Sequence, residues 1–368
     1  MAYLGETMDG STLVGTRSGQ DDRTQPNVPC LTIAYHPNIH RVGEQLRMAE
    51  CLLGQSVEVS RLIPAWKTPA GRTTRGLNDP YLSRKPLRFS GHADGICIDP
   101  VETSTPIRAD GELIRQATTF SGHALQNGVM IEFGDRVVAV LHWAYGQADR
   151  GENLGLLGVS AAIATVRQEI RRVGPEPVPV LLRGLSGTGK ELVAKALHEQ
   201  STRSKRRFVA VNMGAVPETT AASELFGHVK GAFTGATANH PGYFGQADQG
   251  TLFLDEIGET PTSVQPIMLR ALESGEVQPL GSQRPRSVDV RIVAATDANL
   301  EQAIEQDSFR VALLHRLAGY EIHVPPLRAR REDVGLLFMH FFKAEVERIG
   351  MGDRLRPDAT DKHLWLPA

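Results

Sequence analysis

Cysteine is scarce in this sequence, and the few cysteines present are far apart. Cys30, Cys51 and Cys97 are odd in number and fit neither a disulfide framework nor the paired spacing of a zinc site. We therefore expect ordinary reduced thiols. The histidines are scattered without the spacing of metal ligands, and we interpret them as surface or packing residues.

Long apolar runs are missing as well. No stretch of about 18 uncharged apolar residues occurs, and the N-terminus lacks a basic segment followed by an apolar one. Neither charge is in excess, since 40 basic residues stand against 42 acidic ones. A balanced chain lacks the basic surface with which proteins bind nucleic-acid backbones non-specifically. The sequence predicts a soluble, cytoplasmic protein without a membrane segment.

The chain does contain enough residues for two domains. Its 368 residues exceed one ordinary core and allow each of two compact units to bury an apolar interior. Residues 1–27 are rich in Gly, Ser, Thr, Asp and Gln and predict a disordered leader. Between 28 and 146, short apolar runs broken by turn residues are typical of an all-β sandwich. The polar stretch 147–153 is predicted to be a linker.

From residue 154 onwards, helices alternate with apolar strands. The predicted strands include VPVLLRG, FVAVN, TLFLDE and VRIVAAT, and amphipathic segments such as ELVAKALHEQ stand between them. This alternation predicts an α/β domain over 154–330, with a parallel sheet and helices on both faces. Active sites of such sheets lie at the carboxyl ends of the strands. The residues that follow each strand are therefore the ones to examine.

The segment VLLRGLSGTGKE places a glycine-rich turn between an apolar strand and a predicted helix, at the spacing of a phosphate-binding P-loop. Backbone N–H groups of such a turn surround a β-phosphate, and Lys190 would reach the β- and γ-phosphates of ATP. A chance Gly-Lys turn is the alternative, which the flanking strand and helix disfavour. The predicted nucleotide-binding residues are Gly184, Leu185, Ser186, Gly187, Thr188, Gly189, Lys190 and Glu191.

Two adjacent carboxylates end a second apolar strand, TLFLDE. In the Walker B arrangement, Asp255 would hold a hydrated Mg²⁺ ion, and Glu256 would orient and polarise the attacking water. A strand that simply ends in solvated acids is the alternative. The uncharged strand and the upstream P-loop favour the catalytic pair.

The string ELFGHVKGAFTGA is the most specific in the chain. Its GAFTGA resembles the signature loop of NtrC-like sigma-54 activators, and SGTGKE and FLDEIGE resemble the same family, over roughly 154–358. Glycines flank Phe233 and Thr234, so we expect an exposed contact loop rather than a buried phenylalanine. The resemblance implies that the contact with sigma-54 RNA polymerase holoenzyme is made by Gly231, Ala232, Phe233, Thr234, Gly235 and Ala236.

The resemblance also implies an AAA+ P-loop ATPase and assigns roles to further residues. Asn212, at the end of FVAVN, matches the residue that holds the catalytic Glu away from the nucleotide until the partner engages. Thr296 and Asp297 match the sensor of the γ-phosphate. Arg310 and Arg316 match the fingers donated to a neighbouring subunit's ATP, which implies a ring, expected to be a hexamer. Without the family, both would more simply be surface arginines.

Three features depart from the family pattern. Leu185 replaces the usual Glu, and Asp297 stands where Asn is commonest; a carboxylate cannot donate to a phosphate oxygen, so turnover would be slowed or retuned. The sequence lacks the family's second sensor arginine and a helix-turn-helix, so we expect a partial helical lid over 331–368 and no DNA-binding domain in this chain.

The primary hypothesis is a hexameric ATPase that remodels the closed promoter complex. The alternative is a truncated, poorly active ATPase that serves as a signalling adaptor or poisons the rings of other activators.

The first half carries a second resemblance. AGRTTRGLNDPYLSRKPLRF is similar to the forkhead-associated (FHA) domain, a β-sandwich that binds phosphothreonine through loops at one end. Arg72, Ser83 and Arg84 match its GR and SR elements, and their chemistry suits a phosphate. Pro86 stands where that family has His. The resemblance implies a phosphothreonine protein as partner; the alternative is a sandwich that keeps these residues as turn residues.

Overall fold

The computed structural model describes residues 27–100, 102–144 and 153–352. The predicted leader, up to residue 26, and most of the predicted linker fall outside this part of the chain, as do residues 353–368 of the predicted lid. The described residues form a β-rich N-terminal unit and an α/β unit. None of their helices is both long enough and apolar enough to cross a membrane.

The N-terminal unit is built from short strands, as its apolar runs predict. The strands are β1 (Val28–Tyr35), β2 (Gln45–Arg47), β3 (Ser56–Val59), β4 (Ala65–Lys67), β5 (Thr73–Arg75), β6 (Leu87–His92), β7 (Gly95–Asp99), β8 (Ile107–Ala109), β9 (Glu112–Leu113), β10 (Thr118–Ser121), β11 (Val129–Phe133) and β12 (Val137–Ala144). One short helix, α1 (Gly122–Asn127), connects β10 to β11. Two antiparallel sheets result, with the orders β5-β4-β2-β1-β12-β11-β8-β9 and β10-β7-β6-β3.

The two sheets enclose one apolar core. Strand β7 shows the alternation that this requires, since Ile96 and Ile98 are buried while the residues beside them are only half-buried. Side chains from both sheets, such as Ile33 and Phe89, belong to the same core, in which Trp66 is fully buried. The predicted all-β architecture of the first half is confirmed.

Strand β1 departs from this alternation because both of its faces are covered. Leu31 and Ile33 face the core of the sandwich, and Cys30 and Thr32 on the opposite face are also fully buried. The cover on that second face comes from residues that follow the α/β sheet, where the backbone of Ala34 lies directly against Gly335. A strand covered on both sides can be apolar throughout.

The α/β unit alternates strands and helices. Its strands are β13 (Val180–Arg183), β14 (Phe208–Asn212), β15 (Thr251–Asp255), β16 (Glu276–Val277), β17 (Arg286–Ser287), β18 (Arg291–Thr296) and β19 (Tyr320–His323). Its helices are α2 (Ala161–Val173), α3 (Lys190–Glu199), α4 (Glu218–Phe226), α5 (Gly242–Gln246), α6 (Gln265–Ser274), α7 (Leu300–Glu305), α8 (Val311–Leu317) and α9 (Val334–Arg348).

Five of these strands form a parallel sheet with the order β14-β15-β18-β13-β19. Leu181 and Leu254 face one core, which includes residues of α4, α6 and α8. Leu182 and Phe253 face the other core, which includes residues of α2 and α3. The predicted parallel sheet with helices on both faces is confirmed, and the carboxyl ends of its strands lie at one edge.

Helix α9 begins the region in which we predicted a partial lid. It docks on the N-terminal unit, where Met339 and Phe342 pack with Ile39 and Val42. Its Gly335 lies against β1 so closely that a larger residue would meet the backbone of that strand. The two units therefore share an interface.

Candidate active site

The P-loop residues form a tight turn between β13 and α3. Gly187 and Gly189 adopt φ values of 75° and 97°, a left-handed backbone that favours glycine. Such a turn at a helix N-terminus offers backbone N–H groups and the positive end of the helix dipole to an anion. Lys190 is buried, and its Nζ donates to the carbonyl oxygens of Gly184 at 2.8 Å and Leu185 at 3.3 Å. The ammonium group thus lies over the turn, where phosphate would bind.

The other P-loop side chains close the turn or face outward. The hydroxyl of Thr188 donates to the carbonyl oxygen of Leu185 at 2.8 Å. Glu191 forms an exposed ion pair, 2.8 Å long, with the lysine one turn further along α3. Ser186 and the side chain of Leu185 are exposed. The anion-binding chemistry of the turn therefore rests on its backbone and its lysine.

The predicted Walker B residues lie at the same edge of the sheet. Asn212, at the end of β14, is the register partner of Asp255, at the end of β15. The backbone N–H of Gly184 donates to the carbonyl oxygen of Thr296 at 3.2 Å, which joins the end of β18 to the P-loop. The sheet thus brings together residues that are far apart in the sequence.

Glu256 follows β15 in an unusual backbone conformation. Its φ of 53° lies in the left-handed region, which side chains other than glycine rarely adopt and which is often found at functional sites. Its N–H donates to Oδ1 of Asp255 at 3.0 Å. A Cβ atom added to Gly214 would lie 2.5 Å from Oε2 of Glu256 and 3.3 Å from Oδ1 of Asn212. The carboxylate of Glu256 is therefore close to the amide that the family resemblance assigns to it.

Gly214 is a functional neighbour that the sequence reasoning missed. It lies between Glu256 and Asn212, in a short 3₁₀ turn that Asn212 caps by accepting the N–H of Ala215 at 3.2 Å. A small residue shortly after the polar end of a strand is the available signal. That signal is weak, since glycines occur in many turns.

The predicted sensor residues have different surroundings. Thr296 is buried, and its hydroxyl accepts the N–H of Ala298 at 3.0 Å. Asp297 is exposed just beyond the end of β18. Only Asp297 of the pair therefore has a side chain free to face solvent at the edge of the sheet.

The two predicted arginine fingers are exposed, one at the start of α8 and one within it. Arg310 immediately precedes the helix, and its N–H donates to Oε1 of Gln265 at 2.9 Å. Arg316 donates from Nε and Nη2 to the carbonyl oxygen of Leu272, at 3.0 and 2.8 Å. Gln265 was missed by the sequence reasoning. It is fully buried and also donates to the carbonyl oxygen of Ser308 at 2.9 Å, so it fixes the start of α8.

The loop 231–236 is closed by a hydrogen bond across its base. The N–H of Gly231 donates to the carbonyl oxygen of Ala236 at 2.8 Å. Gly231 and Gly235 have φ values of 84° and 106°, so both glycines are required by the backbone. Ala236 is buried, and Ala232 lies against Gly281 of a neighbouring turn.

The tip of this loop carries Phe233 and Thr234, both exposed. The ring of Phe233 is 46% exposed and meets the ring of His228 edge-on, at a centroid distance of 5.0 Å. Val229 donates its N–H to the carbonyl oxygen of Leu280 at 3.0 Å, which anchors the base of the loop. The predicted exposed loop is confirmed in its geometry.

The residues matched to a phosphothreonine site lie in two turns of the sandwich. Arg72, in the turn between β4 and β5, is exposed, as is Arg84. Oγ of Ser83 accepts the N–H groups of Lys85 at 3.0 Å and Ser104 at 3.4 Å. Ser83 lines a cavity of about 460 Å³, whereas the turn of Arg72 borders a different cavity, of about 1340 Å³, between the two units.

A further basic residue lies beside Ser83 and was missed in the sequence. Arg136 lines the same cavity, with its guanidinium 4.8 Å from the centre of the Tyr81 ring. It also forms an ion pair with the buried Asp79 at 3.1 Å. Because Arg136 comes from a distant turn, no local pattern could have indicated it.

Comparison with known proteins concerns mainly the α/β unit. Residues 156–323 match the Sigma-54 interaction domain. The nitric oxide reductase transcription regulator NorR2 of Cupriavidus necator is 50% identical over 59% of this chain and 42% of its own length. The DNA-binding transcriptional regulator NtrC of Escherichia coli K12 is 45% identical over 61% of this chain and 49% of its own length. The chain thus spans about half the length of the curated relatives it matches.

A solved structure is similar as well. NtrX from Brucella abortus in complex with ATP is 38% identical, with a TM-score of 0.50, and the match covers 53% of this chain and 42% of NtrX. NtrX has also been crystallised with ADP. The α/β unit is thus similar to the Sigma-54 interaction domain and to parts of NtrC- and NorR-type regulators.

Proposed function

We propose that this chain is the ATPase of a sigma-54-dependent transcription activator. In this proposal it hydrolyses ATP in a ring, expected to be a hexamer, and uses the loop 231–236 to remodel the closed promoter complex of sigma-54 RNA polymerase. The observation that carries the proposal is the convergence of the P-loop, Asp255, Glu256 and Asn212 at one edge of the parallel sheet. The solved complexes of NtrX with ATP and ADP support a nucleotide at this turn.

The P-loop would hold the phosphates of ATP. Its backbone N–H groups bind the β-phosphate, and Lys190 exchanges its hydrogen bonds to two carbonyl oxygens for the β- and γ-phosphates. An ammonium group so placed neutralises charge on the transferring phosphoryl group. Leu185, Ser186, Thr188 and Glu191 shape the turn and lend little phosphate chemistry of their own.

The donor set at this edge fits Mg²⁺. Magnesium bound with a nucleotide takes one or two carboxylates, phosphate oxygens and water. Asp255 supplies a carboxylate at the end of β15, and its Oδ1 is already oriented by the N–H of Glu256. Asp255 would hold the ion through water, and the ion would supply charge neutralisation at the phosphates.

Glu256 would polarise the attacking water. Its carboxylate is close to the side chain of Asn212, which supports a resting position controlled by that amide. Arg310, which immediately precedes α8, and Arg316, within α8, are both exposed, as fingers offered to a neighbouring subunit must be. Asp297 stands at the sensor position, and its negative charge near the γ-phosphate would slow turnover relative to Asn.

The sandwich would act as the sensory unit through an FHA-like phosphothreonine site. Oγ of Ser83 accepts two backbone N–H groups, so its own O–H can donate to a phosphate oxygen. Arg84 is exposed next to Ser83 in the chain, and Arg72 is exposed in a second turn; in the proposal their guanidinium groups supply the positive charge for the phosphate.

The contact loop provides the sharpest test. Thr234→Ala removes an exposed hydroxyl and methyl group at the tip of the loop, remote in sequence from the P-loop. We expect this variant to hydrolyse ATP at the parent rate but no longer to bind sigma-54. The measurements are ATP turnover and retention of sigma-54 by protein trapped with a transition-state analogue of hydrolysis.

Thr237→Ala is the matched control, because Thr237 is also exposed but lies just outside the loop. It should retain both activities. Binding of sigma-54 by parent and Thr234→Ala alike, or by neither, would remove the activator function. The protein would then be better described as a poorly active adaptor or ring-poisoning subunit.

A further inference from the structure

Residues 330–333, sequence RRED, follow the α/β sheet and contact both units. We call them the junction segment. Three of the four residues are buried: Arg330 and Glu332 are each 8% exposed, and Asp333 is 0% exposed. Burying a charged group costs free energy unless it has partners. Their partners therefore show what the junction segment holds in place.

Asp333 fixes the start of the α/β unit. Its Oδ1 accepts the N–H groups of Val159 at 2.6 Å and Ser160 at 2.8 Å, and its Oδ2 accepts the Ser160 hydroxyl at 2.7 Å. Ser160 in turn caps α2 by accepting the N–H of Ile163. The carboxylate thus ties the junction segment to the first helix of the ATPase fold.

Arg330 reaches the P-loop. Its Nη2 donates to the carbonyl oxygen of Thr188 at 3.3 Å, and its Nη1 lies 3.9 Å from Oδ2 of Asp333. Thr188 immediately precedes Gly189, whose left-handed backbone starts α3 and places Lys190. A shift of Arg330 therefore acts directly on the part of the turn that orients the phosphate-binding lysine.

Arg331 and Glu332, which lie between these two residues, contact the sandwich. Nη1 of Arg331 donates to the carbonyl oxygen of Gly128 at 3.2 Å and lies 3.6 Å from Asp110. Oε1 of Glu332 lies 3.6 Å from Nδ1 of His142 on β12. Neighbouring residues of one short 3₁₀ turn thus bind different units, so the sandwich cannot move relative to the P-loop without disturbing the turn.

We infer that Arg330 is a positioning residue for the P-loop, and that the sandwich sets its position through the contacts of Arg331 and Glu332. The inference rests on the proposed binding of ATP at the P-loop. In this way the sandwich, which contributes no residue to the P-loop, would change the affinity of the P-loop for ATP. Arg330 does not touch the nucleotide in this account; it acts through the carbonyl oxygen of Thr188.

The test is the affinity of the full chain for a fluorescent ATP analogue. Arg330→Ala should weaken binding by about tenfold, the effect of one lost hydrogen bond to the turn. Arg330→Lys keeps a donor and should recover part of that loss. Arg331→Ala removes contacts with the sandwich only, yet it should also weaken binding of the ATP analogue by a few-fold. The double variant should bind no more weakly than Arg330→Ala, because both changes act through one contact.

Arg328→Ala is the matched control, since Arg328 is exposed in the turn just before the junction segment. It should bind like the parent. Thermal unfolding of each variant separates a lost fold from a changed site, and Arg331→Ala decides the matter if Arg330→Ala does not fold. Parent-like binding by Arg330→Ala and Arg331→Ala would overturn this inference alone. Absence of binding by the parent would overturn the proposed function and this inference with it.

Discussion

At the scale of single residues, Glu256 combines three unusual features. Its backbone is left-handed, its N–H is bonded to Asp255, and its carboxylate is close to Gly214 and Asn212. A surface carboxylate at the end of a strand would need none of these constraints. They are consistent with a side chain whose position must be controlled.

Glu256→Gln should separate ATP binding from hydrolysis. The amide keeps the size of the side chain but cannot polarise water as a carboxylate does, so turnover should fall by about 100-fold or more. Nucleotide affinity should stay near the parent value, because Glu256 does not hold the phosphates. Glu259→Gln, which changes an exposed carboxylate in the following turn, is the control. Hydrolysis by Glu256→Gln at the parent rate would mean that another base is at work.

At the scale of elements, the first turn of α9 packs directly against β1. Gly335 lies against the backbone of Ala34, and Gly43 lies against Leu336. Gly335 thus lets the helix approach the backbone of the strand, and Gly43 leaves room for the side chain of Leu336. An apolar cluster around Met339 completes the contact.

Gly335→Ala should loosen this docking. The added methyl group would meet the backbone of β1, which cannot move aside as a flexible side chain can, so we expect a loss of about 1–3 kcal/mol of unfolding free energy. Chemical denaturation of the full chain measures it. Gly352→Ala is the control, because its added methyl group would meet only Glu347 at ordinary contact distance. Equal stability of Gly335→Ala and the parent would show that α9 does not depend on this approach.

At the scale of the whole molecule, the interface between the two units contains buried titratable groups. Burial, with a smaller contribution from the nearby Asp333 carboxylate, raises the pKa of Glu332 to about 7. Burial lowers the pKa of His142 to about 4, so this ring is neutral at pH 7. Its Nδ1 donates to the carbonyl oxygen of Trp143, and its Nε2 accepts the hydroxyl of Thr32. The contact between Glu332 and His142 is therefore not an ion pair near neutral pH.

Glu332→Gln should change how stability depends on pH. Between its ordinary pKa of 4.5 and the raised value of about 7, the folded parent binds a proton that the unfolded chain has released, so this group lowers stability as pH rises. The lowered pKa of His142 acts in the opposite direction between about 4 and 6.5, and it is common to both proteins. The stability of the variant relative to the parent should therefore increase by on the order of 2–3 kcal/mol between about pH 5 and about pH 8.

Denaturation at both pH values measures this difference. Glu347→Gln, an exposed change on α9, is the control. A constant difference between Glu332→Gln and the parent across the two pH values would contradict a buried, proton-binding carboxylate at the interface.

The sequence by itself was sufficient for the features that depend on neighbouring residues. Strand, turn and helix in VLLRGLSGTGKE are contiguous, so apolar periodicity and two glycines indicate the P-loop and Lys190 without any distant contact. The same holds for Asp255 and Glu256 at the end of an uncharged strand, and for the loop 231–236. Their meeting at one edge followed from the general geometry of parallel sheets. The ring, its partners and the phosphothreonine site stay predictions.

Only the tertiary structure decided what the charged string RRED does. As a sequence, four consecutive charges indicate a solvated surface turn. In the fold, Asp333 bonds to Ser160, 173 residues away, and Arg331 bonds to Gly128, 203 residues away. These contacts exist because segments that are far apart in the sequence pack around the charged side chains. No local pattern encodes such a packing, since the free energy that places these charges comes from surfaces that are brought together only by folding.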